Sequence, residues 1–180
     1  MINYKSVVYL CLAVVLLTSC SPKIPFTQSI RDKYNLTEPE LKGIQFYLSD
    51  AVLLRRGSEE KSTKSTEDGT LVINSGNEIE QITFKSSTPC TINKVLGVSI
   101  VSVAFEDGPE KQLVFGSGNS KDGFYRLQAL SWDKGRGKIN YGGNTYYSAP
   151  GSENAILFFR MKSLKKLKYN ETVVKGKSVK

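Results

Sequence analysis

The chain has 180 residues, of which 39% are hydrophobic, and it carries 25 lysines and arginines against 17 acidic residues. This length and apolar content suit one packed domain and argue against a disordered chain. The sequence contains no histidine, which excludes a histidine base in catalysis and metal sites with histidine ligands.

The N-terminus combines a short positive start with an apolar run. Lys5 precedes the uncharged residues 7–17, and this run of eleven is too short for a spanning helix, which needs about 20 apolar residues. It is typical of the apolar centre of a secretion signal. The run ends in Leu17-Thr18-Ser19-Cys20, and here the sequence resembles the bacterial lipoprotein signal peptides, whose lipobox is leucine, a spacer, a small residue and cysteine.

The resemblance implies a processed and lipidated protein. Residues 1–19 would be removed as the signal peptide, and Cys20 would carry diacylglycerol on its sulfur and a further acyl chain on its amine. Two or more acyl chains give stable anchoring to a membrane. Ser21 follows the cysteine, and residues 21–25 contain no acid, so the resemblance implies an outer-membrane protein and favours the periplasmic face over the alternative, the cell surface.

The next segments favour a tether, a short helix and a long strand. Residues 20–29 contain two prolines and little periodicity, which predicts a lipidated tether. A short helix is expected between Ile30 and Leu41, with Thr37 as its N-cap. Apolar residues then alternate over 44–54, which predicts one strand with a bulge that turns Asp50 outward.

Further strands follow at a spacing of roughly ten residues. The polar segment 58–68 reads as an exposed loop, and residues 95–105 are apolar on both faces, which predicts a central strand. Other strands are expected over 71–74, 79–85, 112–115, 124–132, 138–147, 154–161 and 163–169. Hairpin turns are indicated by Asp-Gly pairs at 68–69, 107–108 and 122–123.

These elements predict an all-β fold: an antiparallel β-barrel or sandwich of about eight to ten strands with a short N-terminal helix. Periodicity does not separate the barrel from the sandwich. The domain is expected to cover residues 30–180 and to end in a basic segment, residues 160–180, which carries eight basic residues and one acid. The remaining mature chain, residues 20–159, is electrically neutral.

The sequence contains few residues in patterns that are typical of catalytic sites. After processing, Cys90 is the only free thiol, so no intramolecular disulfide can form, and we expect Cys90 to be a buried small hydrophobe. No catalytic residue, metal site or cofactor is predicted, and no pair of acids is marked out for hydrolysis. We therefore expect a protein that is not an enzyme.

Two groups of residues are candidates for binding. In the basic segment the lysines either protect an exposed strand edge or form a docking surface for anionic lipid headgroups or an acidic partner. Its candidate residues are Arg160, Lys162, Lys165, Lys166 and Lys168. The second group is aromatic, lies beside basic residues and could stack on a glycan: Trp132, Tyr141, Tyr146 and Tyr147. Positions 141 and 147 are both odd, so on one continuous strand Tyr147 would point to the same face as Tyr141, which favours a place on the core face.

The sequence favours an envelope lipoprotein that acts as an interaction or accessory subunit of an envelope assembly. Its expected partners are the membrane, through the lipid on Cys20, and an envelope protein, whereas the compartment argues against nucleic acid. The alternative function is a small β-barrel carrier or sensor that binds a lipid or glycan in its interior, which requires a closed barrel with unfilled space.

Overall fold

The computed structural model describes residues 21–57, 64–65, 71–72, 79–118 and 121–170. Cys20 and the basic residues beyond position 170 lie outside these ranges. Most described elements are strands. In chain order the elements are β1 (Lys23–Pro25), α1 (Gln28–Lys33), α2 (Glu38–Lys42), β2 (Phe46–Leu48), β3 (Val52–Gly57), β4 (Lys64–Ser65), β5 (Leu71–Val72), β6 (Ile79–Phe84), β7 (Pro89–Gly97), β8 (Ile100–Ala104), β9 (Gln112–Gly116), β10 (Arg126–Gln128), β11 (Ser131–Asp133), β12 (Arg136–Tyr141), β13 (Asn144–Ser148), a 3-10 turn (Ser152–Asn154), β14 (Leu157–Arg160) and α3 (Met161–Asn170).

The strands form two main antiparallel sheets, which confirms the predicted all-β fold. The larger sheet has the order β1-β14-β2-β7-β8-β9-β10 and the smaller one β11-β12-β13-β3-β6, with β4 and β5 as a separate ribbon. The two ends of the larger sheet meet through isolated bridges, such as Thr27–Phe124 and Arg126–Ile156, and not through a continuous ladder. The fold is therefore consistent with a β-sandwich, and the alternative of a closed barrel is wrong.

An aromatic cluster occupies the centre of the core. Phe26 is fully buried, stacks on the ring of Tyr125 at 4.6 Å between centroids, and meets Phe46 and Phe159 edge-on at 5.1 and 5.9 Å. Buried aromatic pairs of this kind contribute more than their area alone. Because Phe26 directly follows β1, the part of the predicted tether from Lys23 onward lies in the domain.

Two short helices replace the single one predicted after the tether. The Thr27 hydroxyl accepts the Ile30 N–H at 3.1 Å and caps α1. Thr37 precedes α2, and its backbone N–H donates to the Glu40 carboxylate at 2.6 Å, as in a capping box. The prediction of Thr37 as an N-cap is confirmed.

The strand predicted over residues 44–54 is divided between the two sheets. β2 belongs to the larger sheet and β3 to the smaller one, and the chain turns between them at Ser49 and Asp50. The Ser49 hydroxyl accepts the Ile156 N–H at 2.8 Å and donates to the Asp50 carboxylate at 2.7 Å. Asp50 points to solvent as expected, but a corner between sheets explains it and not a bulge in one strand.

Two other long predicted strands are hairpins. Residues 95–105 turn back between β7 and β8, so that Val98 lies at a hairpin tip and not in a central strand. Residues 138–147 turn at Gly142 and Gly143, whose φ angles are 57° and 78°. Two successive positive φ angles belong to the tight turns that match the twist of paired strands, and glycine adopts them without steric cost.

The segment predicted as a strand over residues 163–169 is helical. It forms most of α3, which follows β14 without a linker. Leu164 and Leu167 are three residues apart, a spacing that places both on one side of a helix but on opposite faces of a strand. Leu164 is buried in the core, and Leu167 packs against it. None of the helices in the described ranges is long and apolar enough to cross a bilayer.

Candidate functional site

Arg160 is separated from the other candidate basic residues by its position at the end of β14. It lies opposite Lys23 in the β1–β14 ladder. Both cations face the ring of Tyr47: the Lys23 ammonium lies 4.0 Å and the Arg160 guanidinium carbon 5.9 Å from its centroid. Such contacts are cation–π interactions. Arg160 is half-buried there and belongs to the sheet surface.

Three of the predicted lysines share the exposed side of α3. We call Lys162, Lys165 and Lys166 the lysine face; all three are exposed. At 100° per residue their directions fall within an arc of about 100°, opposite to that of Leu164 and Leu167. The side chain of Lys168 lies outside the described part of the structure. The prediction that these lysines protect an exposed strand edge is therefore wrong for residues 161–170, because this segment is a helix.

Packing fixes α3 on the domain. Leu164 is 1% exposed. On its neighbour α2, the C-terminal Gly43 has no side chain, and a Cβ there would lie 3.1 Å from Leu167 Cδ2. This close approach presses the apolar side of the helix against the body of the protein. The lysine face is consequently held outward by a packed helix, so the helix backbone needs no further ordering when a partner binds.

No acidic residue within α3 itself offsets the charge of the lysine face. Residues 161–170 contain four lysines and no acid. Among the described residues, the ion pairs are Lys42–Glu38, Arg56–Glu80, Lys111–Glu106 and Arg126–Asp122, and none of them includes the lysine face. Three exposed ammonium groups on one helix side attract phosphates or carboxylates, and the attraction weakens as salt is added.

The β1–β14 ladder places the start of α3 beside Lys23, which lies three residues after Cys20 in the sequence. Lys23 pairs with Arg160, the residue that immediately precedes the helix. Cys20 precedes Lys23 by three residues, which span at most about 10 Å. A lipid on Cys20 would therefore lie near the first turn of α3.

The four aromatic candidates do not form one surface. Tyr141 and Tyr146 are buried, whereas Trp132 and Tyr147 are exposed. The two-residue turn of the β12–β13 hairpin pairs Ile139 with Tyr146, so the odd-numbered Tyr147 lies opposite Lys138 on the outer face. The shared parity of Tyr147 and Tyr141 therefore does not mean a shared face.

The buried tyrosines have structural partners. The Tyr141 hydroxyl donates to Glu106 at 2.7 Å, and the Tyr146 hydroxyl donates to Glu80 at 2.8 Å. Burial, followed by the bond to the carboxylate, raises the pKa of both tyrosines. The bond from Tyr141, followed by the one from Lys111, lowers the pKa of Glu106. Tyr141 thus connects the smaller sheet to the end of β8 in the larger one, whereas Tyr146 and Glu80 lie on strands of the same smaller sheet. The rings of both tyrosines are buried.

The exposed aromatics lie on opposite faces of the smaller sheet. The Trp132 ring covers Gly137, where a Cβ would come within 2.7 Å of it. Tyr147 stands on the outer face, in register with Lys138 on one side and Arg55 on the other. Of the two exposed candidates, Tyr147 is therefore the one that lies between basic residues on neighbouring strands.

Two clefts of the described structure are open to solvent at its surface. One cleft of about 170 Å³ is lined by Gln112, Val114, Gln128, Ala129, Leu130, Ile139 and Asn140. Another of about 350 Å³ is lined by Glu110, Asn140, Tyr141, Gly143 and Thr145. Aromatic and aliphatic side chains fill the space between the sheets. The alternative function as a barrel carrier therefore lacks the closed barrel on which it depended.

Cys90 is buried, as predicted. Burial raises the pKa of its thiol to about 12, which keeps it protonated near neutral pH and unsuited to nucleophilic attack. Over the described ranges, no three acidic or cysteine side chains converge in a way that could hold a metal ion.

A feature that the sequence did not indicate is an apolar hairpin tip. Leu96, Val98 and Ile100 are exposed where β7 turns into β8. The signal was present in Gly97 and Ser99, which suit a turn, but the surrounding valines and isoleucines favoured a continuous buried strand.

Comparisons of the chain with protein families, with curated proteins and with solved structures give no match.

Proposed function

We propose that this chain is a non-enzymatic lipoprotein of the outer membrane, anchored through Cys20 on the periplasmic side, and an accessory subunit of an envelope assembly. Its lysine face docks on an acidic surface of a protein partner. The observation that carries the proposal is the arrangement of α3, which buries Leu164 and keeps three lysines exposed.

Anchoring makes a weak docking surface sufficient. A protein held on one membrane meets its partner at a high effective concentration, so a modest affinity supports a stable assembly. Complementary charge speeds encounter and selects the partner more than it adds affinity. The lysine face supplies this complementarity on a helix that is already ordered by packing.

Charge reversal tests the docking surface more sharply than truncation does. Removal of residues 160–180 would also remove Leu164 from the core and destabilise the domain. We therefore compare the full chain with a variant that reverses the lysine face, Lys162→Glu, Lys165→Glu and Lys166→Glu. The matched control reverses three exposed lysines elsewhere, Lys85→Glu, Lys121→Glu and Lys138→Glu, and has the same net charge.

The measurement is affinity capture from detergent-solubilised membranes at low salt. We expect the wild type and the control to retain an acidic envelope protein, and the lysine-face variant to lose it by at least about tenfold, as for the loss of several charge contacts. Equal recovery with all three chains, or recovery of no partner, would contradict the proposal. Preferential binding to phosphatidylglycerol vesicles without a protein partner would assign the lysine face to lipid headgroups instead.

A further inference from the structure

The tip of the β7–β8 hairpin exposes three aliphatic side chains. Leu96, Val98 and Ile100 are 51%, 84% and 40% exposed, and we call them the aliphatic tip. A single exposed apolar residue is ordinary, but a cluster at one projecting turn marks an interaction site. These residues account for half of the large hydrophobic residues that are exposed in the described part of the chain.

The backbone carbonyls of this turn already have protein donors. Arg31 Nη1 donates to the carbonyl of Val98 at 2.7 Å and to that of Gly97 at 3.4 Å. The Ser117 N–H donates to the carbonyl of Ser99 at 3.0 Å. Carbonyls in an exposed turn ordinarily bind water, and the acyl region of a bilayer offers none. The tip can therefore move from water into the acyl region while these three carbonyls remain hydrogen-bonded.

Arg31 is itself fixed by the core. Its Nη1 donates to the Tyr125 hydroxyl at 3.0 Å, and that hydroxyl donates to Gln28 Oε1 at 2.6 Å. Tyr125 is fully buried and stacks on Phe26. The turn is thus held in one shape by a hydrogen-bonded chain that ends in the aromatic cluster, so no ordering is needed when it binds.

We infer that the aliphatic tip inserts into the acyl layer of the bilayer to which Cys20 anchors the protein. The inference rests on the proposed function for the anchor alone and is independent of the lysine face. Cys20 and Gln28, the first residue of α1, are eight residues apart, at most about 28 Å of extended chain. Anchor and tip can therefore reach the same membrane surface.

The chemistry of the tip favours lipid over a protein pocket. Protein interfaces concentrate their energy in tryptophan, tyrosine and arginine, with leucine and valine under-represented, and the tip offers only leucine, valine and isoleucine. A turn that binds in a protein pocket can take hydrogen bonds to its carbonyls from the partner. In this turn Arg31 and Ser117 of the same chain already donate to the carbonyls, so no donor from a partner is needed. The Arg31 cation, which donates to the Val98 carbonyl, is complementary to anionic headgroup phosphates.

A fluorescent label at the tip tests the inference in the full lipidated chain. Val98→Cys, labelled with nitrobenzoxadiazole and reconstituted into phosphatidylethanolamine–phosphatidylglycerol vesicles, should show blue-shifted emission that brominated acyl chains quench. Tyr147→Cys, labelled in the same way, is the matched control and should keep aqueous emission. Cys90 is buried with a raised pKa and reacts slowly with the label.

A second pair of variants separates insertion from mere proximity. Leu96→Ser with Ile100→Ser should lower the ratio of inserted to free label on the order of tenfold for each side chain, whereas Leu130→Ser, at another exposed leucine, should leave it unchanged. Vesicle flotation measures anchoring separately, so loss of the anchor is distinguished from loss of insertion. Aqueous emission from position 98 in floated vesicles, or a shift that appears only after envelope proteins are added, would overturn the inference.

Discussion

Tyr141 and Glu106 show how single side chains connect the two sheets. The phenol belongs to β12 of the smaller sheet, and the carboxylate lies just beyond β8 of the larger one. The bond from Tyr141 is the main cause of the lowered pKa of Glu106, and Lys111 adds to it at 3.3 Å. The ionised form of Glu106 is therefore bound more strongly in the folded protein than in the unfolded chain.

This lowered pKa predicts the direction of acid destabilisation. Because the folded pKa lies below the unfolded value of about 4.3, the stabilisation is complete above that value and is lost as pH falls through the folded pKa. Glu106→Gln should lower the urea midpoint at pH 7 and reduce the difference between the midpoints at pH 7 and pH 3. Glu110→Gln is the control, and an unchanged pH difference in Glu106→Gln would refute this account of the pair.

Some residue-scale expectations follow from sequence and others do not. Thr37 could be predicted as a cap because a proline stands early in the helical turn that follows it. Cys90 could be predicted as buried from its chemistry. The face of Tyr147 could not be read from parity, because the Gly142-Gly143 turn changes which residues pair across the hairpin.

The sequence identified apolar segments at the scale of elements but not where the chain folds back within them. Residues 44–54, 95–105 and 138–147 each contain a turn that an alternating or continuous apolar pattern does not reveal. The Gly142-Gly143 pair was a readable signal for one of them. Gly97 and Ser99 were a weaker signal for the turn within residues 95–105, and the turn within residues 44–54 depends on contacts made elsewhere, such as the bond between Ser49 and Ile156.

α3 offers the sharpest test at this scale, because its two sides have opposite roles. Leu164→Ala should lower the free energy of unfolding by about 2–5 kcal/mol, since it removes a buried side chain from the core. Lys165→Ala, one residue later and exposed, should change it by less than about 0.5 kcal/mol. Urea denaturation measures both; similar small effects would mean that the helix is not docked on the domain.

The least predictable feature belongs to the whole molecule. β1 and β14 come from opposite ends of the described chain, yet they pair, with Lys23 opposite Arg160. Local pattern carries no information on such a long-range pairing, which depends on the burial of Phe26 and Phe159 in a shared cluster. The basic residues of the candidate site could be identified from the sequence, but their nearness to the predicted anchor could not be predicted from it.

At the scale of the whole molecule, the aliphatic tip and the lysine face are compatible with a single orientation of the domain against the bilayer. If Cys20 carries lipid, the bilayer lies near β1, the tip can enter it, and α3 begins close to its surface. The proposed insertion of the tip requires a membrane-bound chain, and the proposed docking of the lysine face relies on the high effective concentration that anchoring gives, so lipidation is the central claim.

Intact-mass analysis of the protein extracted from outer-membrane fractions tests that claim most directly. We expect a chain that begins at Cys20 and carries diacylglycerol together with an N-acyl group, and we expect Cys20→Ala to abolish both the cleavage and the lipid. A wild-type chain recovered without lipid, or released from the envelope in soluble form, would contradict the account.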